Sequence, residues 1–139
     1  MSGIFEREYI VGWTDVGPNG HLANTSYLGF AVNTRVAFFA DSGFAPADFV
    51  RHQVGPVLKS ETAEYFREIM MLEQVRVTIE NGGHSEDCSR FRVVNNFYKT
   101  DGTHSARVIS IGGWLSLKER KLIEPPEELE NAWLPLVRT

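Results

Sequence analysis

The residues best suited to chemistry lie in one polar loop, residues 13–27. Asp15 supplies a carboxylate, and His21 has a side chain that ionises near neutral pH. Asn24 and Thr25 close the loop, where the longest apolar-periodic segment of the chain begins. A buried helix that starts beside these residues can bind and polarise a small carbonyl substrate, because the first N–H groups of a helix have no partner within it.

The segment after the loop predicts a core helix that ends at Asp41. Asn24 is placed to cap this helix through its side-chain oxygen, and Gly43 is placed to end it. Apolar residues recur at spacings of three and four and cover much of the circumference, which indicates that protein packs on several sides. The periodic residues are Tyr27, Leu28, Ala31, Val32, Arg35, Phe38 and Phe39. Gly20 would let a ligand approach the backbone closely just before the helix.

The other elements are mostly strands. Ile4–Trp13 reads as a first strand, and a short helix is expected at Pro46–His52. Four further strands are predicted at Gly55–Phe66, Leu72–Glu80, Arg90–Tyr98 and Ser105–Leu117. Turn signals at Asn81–Gly83 and Thr100–Gly102 separate the last three and favour an antiparallel meander. Glu127–Val137 predicts a short amphipathic C-terminal helix.

Size and charge narrow the class of protein. The 139 residues predict a single α+β domain over residues 1–139, and the net charge of −4 argues against nucleic acid or an anionic membrane as a partner. A single cysteine allows no intrachain disulfide and fits a cytoplasmic location. One sheet on one helix leaves a face or edge uncovered, so we expect a homodimer with its sites at the seam between protomers. The sequence leaves open whether two dimers form a tetramer.

A metal site is not expected. His84, Glu86, Asp87 and Cys88 lie close together in sequence, but their spacing matches no established ligand pattern and they follow a glycine pair. A solvated hairpin is the simpler interpretation. No sequence feature places a base beside Cys88, so we expect this thiol to be structural.

The order of the elements resembles the hotdog fold, in which an antiparallel five-stranded sheet wraps around one long central helix. The loop Asp15–Tyr27 resembles the signature Asp-x-Asp-x-x-Gly-His-x-x-Asn-x-x-Tyr of the acyl-CoA thioesterases similar to 4-hydroxybenzoyl-CoA thioesterase. Arg35, Ala63–Tyr65 and Glu124–Leu129 also match parts of that family. The resemblance implies hydrolysis of acyl-CoA thioesters without a resident cofactor, since coenzyme A is part of the substrate. Gly17 departs from the pattern, because it stands where the family has the carboxylate usually given the catalytic role.

Thioester hydrolysis needs donors for the carbonyl oxygen and a base for water. The main-chain amides around Asn24 and Thr25 would supply the donors. Glu64 is the first candidate base, because a strand position at an apolar seam would raise its pKa, and the alternative is an ion pair with an arginine such as Arg67. Asp15 is the second candidate, and the alternative is that its side chain holds the turn.

Several residues have more than one interpretation. His21 can orient water, contact the thioester or brace the loop, while Tyr27 and Arg35 pack or form ion pairs more often than they touch ligand. Cations that could bind the phosphates of coenzyme A are Arg90, Arg92, Lys118, Arg120 and Lys121, although the last three also fit a solvated turn. Five further residues could either line an acyl pocket or belong to the hydrophobic core: Phe30, Phe38, Phe39, Met70 and Met71.

Two other functions stay open. Hotdog hydratases and dehydratases use a histidine with a carboxylate, for which His21 and Glu64 are available. A non-catalytic protein that binds acyl thioesters would be expected to lack the family carboxylate, as this chain does at Gly17.

Overall fold

The computed structural model describes residues 4–138, so the ends of the domain predicted over 1–139 lie outside the described residues. The helices are α1 (Asn24–Asp41), α2 (Pro46–His52) and α3 (Glu127–Trp133), with one turn of 3-10 helix at Trp13–Asp15. The strands are β1 (Phe5–Ile10), β2 (Val54–Tyr65), β3 (Gln74–His84), β4 (Arg90–Lys99), β5 (His104–Ser116) and the two-residue β6 (Lys121–Leu122).

The strands form one antiparallel sheet in the order β1-β3-β4-β5-β2, with β6 paired to β5. The sheet wraps around α1, which confirms the predicted α+β hotdog architecture. Among the strands of the described residues, β6 was not expected. Two apolar clusters lie between helix and sheet. Tyr27, Phe30 and Phe97 belong to the cluster at the start of α1, whereas Phe39 and Trp114 belong to the cluster at its end. Packing of α1 against both clusters explains much of its apolar character, whereas Val32 and Val36 remain exposed within one chain.

The prediction that Asn24 caps α1 is wrong. Ala23 is the N-cap residue, and its carbonyl oxygen accepts the N–H of Ser26 at 2.9 Å. Asn24 is the first helical residue and its side chain is exposed. The physical reason is that the Ala23 N–H donates to the Asp15 carbonyl oxygen at 3.0 Å, and this bond holds Ala23 in an extended conformation.

The turn predicted at Asn81–Gly83 is also wrong, since these residues continue β3 and form a bulge. The Asn81 N–H donates to the Val137 carbonyl oxygen at 2.9 Å, so a distant segment pairs with the strand here. A Cβ at Gly82 would lie 2.9 Å from the Arg92 side chain, which explains the glycine. The chain reverses instead at residues 85–89.

Helix α3 ends at Trp133 rather than at the predicted Val137. Pro135 accounts for the difference, because proline has no N–H with which to continue the helical hydrogen bonds beyond Leu134, whose own N–H still donates to the Glu130 carbonyl oxygen at 2.9 Å. Among residues 4–138, no helix has both the length and the apolar character needed to cross a bilayer.

Candidate functional site

The polar loop is a compact hairpin that fixes His21 at the start of α1. Val16 and Leu22 form an isolated antiparallel bridge. The Gly17 N–H donates to the His21 carbonyl oxygen at 3.1 Å, and the Gly20 N–H donates to the Gly17 carbonyl oxygen at 3.0 Å. Gly20 has φ of +77°, a conformation that costs glycine little. The loop therefore holds its backbone by its own hydrogen bonds.

Asp15 braces this loop. Its carboxylate accepts the Gly12 N–H at 2.8 Å, and its carbonyl oxygen accepts the Ser26 hydroxyl at 2.8 Å. These contacts match the second interpretation of Asp15, in which the side chain holds the turn. Its carboxylate is therefore committed to the backbone of the loop.

A cavity of about 310 Å³ lies at the start of α1. We call it the helix-start cavity, and its lining includes His21, Asn24, Tyr27, Tyr65, Arg67 and Glu68. Within residues 4–138, the N–H groups of Asn24 and Thr25 donate to no acceptor. These two amides and the positive end of the helix dipole suit this position to a developing negative charge.

Tyr27 forms an apolar wall of the cavity with a polar end. The side chain is 3% exposed, and its ring packs edge-on against Tyr65 at 4.9 Å and against Phe97 at 5.3 Å. Burial raises the pKa of Tyr27 to about 12, and the nearby Tyr65 and Glu68 add to this rise. The phenol therefore stays neutral at physiological pH.

His21 and Glu68 are the ionisable groups of the cavity that suit proton transfer. The Nδ1 atom of His21 lies 3.4 Å from the Leu22 carbonyl oxygen, and the tautomer that donates there leaves Nε2 with its lone pair. Glu68 was not a sequence candidate, because it lies in the connection after β2 and belongs to no motif. The only available signal was its distance of four residues from Glu64 along the same segment.

Glu64 faces away from the helix-start cavity of its own chain. Ala63 and Tyr65 pack toward α1, so the alternation of the strand directs Glu64 to the outer face of the sheet. Its side chain is 45% exposed and pairs with Arg107 Nη1 at 3.5 Å. Within one chain, Glu64 therefore forms an ion pair with Arg107 and does not lie in the apolar surroundings that we expected. The partner is Arg107 rather than Arg67, whose Nη1 donates to a carbonyl oxygen.

The predicted phosphate-binding cations do not lie beside this cavity within one chain. Arg92 lines a cleft on the outer face of the sheet together with Arg107, and Arg90 is exposed. The other three, Lys118, Arg120 and Lys121, are exposed in and after the turn that follows β5. Tyr65 of the cavity pairs with Ala106 near the start of β5, whereas these three residues follow its end at Ser116, so they lie roughly 30 Å from the cavity.

Arg35 anchors the middle of α1 to the sheet. Its Nη2 donates to the Ser110 hydroxyl at 2.6 Å and lies 3.4 Å from a carboxylate oxygen of Glu61. Its Nε donates to the Asn95 side chain at 3.1 Å. The expectation that Arg35 forms an ion pair is confirmed. Its partners lie on three different strands, so the sequence alone could not identify them.

A second cavity of about 390 Å³ lies beside the second half of α1. We call it the aromatic cavity, and its lining includes Arg35, Phe39, Phe49, Leu58, Trp114 and Trp133. Of the residues proposed for an acyl pocket, Phe39 is the one that lines it. Phe30 stacks on Tyr9 at 4.7 Å, Phe38 lies in the core, and Met70 and Met71 are exposed.

The structure places a possible base beside Cys88 that no sequence feature had indicated, since His84 Nδ1 is 3.6 Å from its sulfur. The same Nδ1 lies 2.9 Å from the Ser85 carbonyl oxygen, to which it can donate. Burial raises the pKa of the Cys88 thiol, and the charges of Glu130, Asp87 and Glu124 raise it further. The thiol is therefore a poor nucleophile, in agreement with a structural role.

The Asp87 carboxylate stabilises the same turn. Hydrogen bonds from the Ser89 N–H, the Ser89 hydroxyl and the Ser85 hydroxyl lower the pKa of Asp87 to about 2. The carboxylate is thus engaged in holding the hairpin.

Comparison with known proteins agrees with this fold. The model of the thioesterase-like superfamily matches residues 11–133. Among curated protein sequences, none matches the chain significantly.

Solved structures with the same fold include a hypothetical protein from Staphylococcus aureus in complex with CoA, with a TM-score of 0.85 and 16% identity over 93% of this chain and 80% of that one. A 1,4-dihydroxy-2-naphthoyl-CoA thioesterase from Synechocystis has a TM-score of 0.83 and 14% identity over 93% and 94% of the two chains. A gentisyl-coenzyme A thioesterase has a TM-score of 0.80 and 14% identity over 92% and 98%. At these identities the likeness establishes the fold, and the match over residues 11–133 establishes the family. The chain belongs to the thioesterase-like superfamily.

Proposed function

We propose that this protein hydrolyses acyl-CoA thioesters at the helix-start cavity. The observation that carries the proposal is the pair of unpartnered N–H groups at Asn24 and Thr25, beside a cavity that also holds His21 and Glu68. Membership of the thioesterase-like superfamily supports a thioester as the substrate. The hydrolysis products of an acyl-CoA thioester are a free acid and coenzyme A.

The proposed reaction begins with the thioester carbonyl oxygen accepting a hydrogen bond from the start of α1. Glu68 takes a proton from a water molecule, and the water oxygen attacks the carbonyl carbon. The negative charge that forms on the carbonyl oxygen is stabilised by the helix amides, one of which can lower the barrier by about 3 to 4 kcal/mol. The C–S bond then breaks, and the departing thiolate takes up the proton. His21 Nε2 orients the water.

We propose that the active form is a homodimer paired through β2. This strand has 12 residues, lies at the edge of the sheet and is exposed along most of its length. Apolar side chains beside this edge are also open to solvent, among them Val32, Val36, Val57, Leu58 and Tyr65. A long exposed edge strand with apolar neighbours is a template for pairing with another chain.

A two-fold axis would pair the two β2 strands antiparallel, because the same strand lies on both sides of an isologous interface. The end of β2 at Tyr65 borders the helix-start cavity, whereas Pro56 and Leu58 border the aromatic cavity. Each helix-start cavity would therefore lie beside the aromatic cavity of the other copy. Lys118, near the start of β2 through the pairing of Val54 with Ser116, would approach the same region from the second copy, where it can bind phosphate.

The second candidate is a non-catalytic protein that binds acyl thioesters. The observation that favours it is Gly17, which leaves the family carboxylate position empty. The hydratase alternative has less support, because His21 lines the helix-start cavity while Glu64 lies on the other face of the sheet.

The test is to follow thiol release from short, medium, long and aromatic acyl-CoAs with the purified protein. We expect turnover with at least one class, and a Glu68→Gln loss of kcat of about a hundredfold because the general base is removed. Glu64→Gln is the matched control and should retain most of the activity. Turnover that falls with Glu64→Gln but not with Glu68→Gln would assign the base to Glu64, whereas tight binding without thiol release would favour the non-catalytic candidate.

A further inference from the structure

The aromatic cavity has walls suited to flat, apolar groups. Phe39 packs edge-on against Trp114 with ring centres 5.8 Å apart, and Phe49 stacks on Trp114 at 6.2 Å. Its volume is about 390 Å³. A buried apolar cavity of about 150 Å³ holds one benzene molecule, so a unit of two fused rings can be accommodated here.

Arg35 is the charged residue of this lining. Its Nε and Nη2 are bonded to Asn95, Ser110 and Glu61, whereas Nη1 donates no hydrogen bond within residues 4–138. Nη1 is not among the fully buried unpaired atoms, so it keeps contact with solvent. Arg35 thus keeps one free donor group at the lining of an otherwise apolar cavity.

The two indole N–H groups of the lining cannot donate a hydrogen bond to a ligand in the cavity. The Nε1 atoms of Trp114 and Trp133 are unpaired but fully buried, so a ligand in the open space of the cavity does not contact them. Among the described residues, Arg35 Nη1 is therefore the side-chain donor that a ligand in the aromatic cavity would meet.

The charge around Arg35 selects the kind of acceptor. Glu61 lies 3.4 Å from Nη2 and balances the positive charge of Arg35. A carboxylate in the cavity would gain little from this neutral pair and would lose its hydration in aromatic surroundings. An uncharged hydroxyl or keto oxygen loses less hydration and can accept the hydrogen bond from Nη1.

We propose that the aromatic cavity binds the acyl group of the substrate, and that this group is a two-ring aryl unit whose hydroxyl or keto oxygen accepts a hydrogen bond from Arg35 Nη1. Arg35 is then a specificity-determining residue. The inference rests on the proposed function for the statement that the ligand is an acyl group, but the cavity's preference can be measured without coenzyme A.

The experiment uses 2-naphthol and 2-methylnaphthalene, which have the same shape but carry a hydroxyl and a methyl group. Equilibrium dialysis gives the dissociation constants for the wild type and for Arg35→Met/Glu61→Gln, a double variant that leaves no unpaired charge in the core. We expect the affinity of 2-naphthol relative to 2-methylnaphthalene to fall about tenfold in the double variant. Arg35→Lys repeats the comparison if circular dichroism shows the double variant to be unfolded.

Val36→Trp tests the location independently, because Val36 lines the cavity and is 49% exposed, so the larger side chain can be placed without disturbing the core. It should weaken both probes at least tenfold. Val50→Trp is the control, since Val50 is 75% exposed and lies outside this lining. Unchanged affinities in Val36→Trp, or an unchanged ratio in the Arg35 variants, would overturn the inference.

The two proposals fail separately. If the naphthalene probes behave as expected and no acyl-CoA is hydrolysed, the proposed reaction is wrong and the aromatic cavity stands as a binding site. If acyl-CoAs are hydrolysed while neither Val36→Trp nor the Arg35 variants change the dissociation constants of the probes, only the assignment of the aromatic cavity is wrong.

Discussion

Gly17 is the residue at which this chain departs most clearly from the pattern of its family, and the structure leaves room for the missing side chain. A Cβ at Gly17 would meet no atom within 4 Å, and its φ lies outside the left-handed region. An aspartate can therefore be introduced without strain. Its carboxylate would stand in the loop that borders the helix-start cavity, four residues before His21.

We predict that Gly17→Asp raises kcat for acyl-CoA hydrolysis at least tenfold, because a second base is then available to water. Gly17→Asn is the control, since it has the same size but cannot take up a proton. Thiol release under saturating substrate measures both variants. Equal rates for the aspartate and asparagine variants would show that this position has no catalytic value here.

Tyr27 makes the stability of the protein depend on pH in the alkaline range. Its pKa is raised from 10.0 to about 12, so the folded protein holds a proton that the unfolded chain releases. The stabilisation is complete below pH 10 and is lost as the pH rises toward 12.

Between pH 9 and pH 11 the free energy of unfolding should fall by roughly 1 kcal/mol more in the wild type than in Tyr27→Phe. Urea unfolding at the two pH values measures the difference. Parallel pH dependences of the two proteins would contradict the assignment of this effect to Tyr27.

The residues of the site differ in how far sequence alone predicts them. His21 and Asn24 were expected at the start of the helix and lie there, because loop and helix are adjacent in the chain. Glu64 was expected to be the first candidate base and Glu68 was not considered, because the face of each depends on the register of β2 against β5 and on the path of the connection after it. Asp15 was expected in both of its roles, and the backbone contacts favour the turn.

At the scale of elements, the edge strand β2 is the feature with the clearest consequence. Directly after β2, the Phe66 N–H donates to Ser105 of the sheet at 2.8 Å. Successive residues of a strand donate in opposite directions, so the N–H of Ala63 points away from β5 and toward the free edge. Thr62, one residue earlier, donates toward β5.

Ala63→Pro should therefore shift the protein from dimer to monomer while leaving the sheet intact, since proline is tolerated where the N–H faces away from the sheet. Thr62→Pro is the contrast, because it removes a bond within the sheet and should lower the melting temperature. Sedimentation equilibrium and circular dichroism give the two readouts. A wild-type protein with the mass of one chain at all concentrations would refute the proposed pairing.

The elements themselves follow from periodicity and turn chemistry, as α1 and the four long strands show. The residues at which these elements end are predicted less well by the same patterns. The bulge at Asn81 depends on pairing with Val137, which lies more than fifty residues away in sequence. Local patterns contain no information on such a contact, so the glycine pair was read as a turn.

At the scale of the whole molecule, the helix-start cavity and the aromatic cavity lie at opposite ends of α1 and of β2. A single chain therefore separates the proposed reaction centre from the proposed acyl pocket and from Lys118. Antiparallel pairing of two β2 strands would bring them together, which explains how one short chain can form a complete site only as a pair.

The central claim is that the amides at the start of α1 hold the thioester carbonyl oxygen, and Asn24→Pro tests it most directly. Proline lacks the N–H but is favoured at the first position of a helix, and the preceding Ala23 is already extended, with ψ of 151°. Asn24→Ala keeps the N–H and is the control.

The measurement is kcat for thiol release by the two variants. We predict that Asn24→Pro lowers kcat by a hundredfold or more, with little change in melting temperature, while Asn24→Ala stays within a few fold of the wild type. A folded Asn24→Pro protein with wild-type kcat would contradict the account.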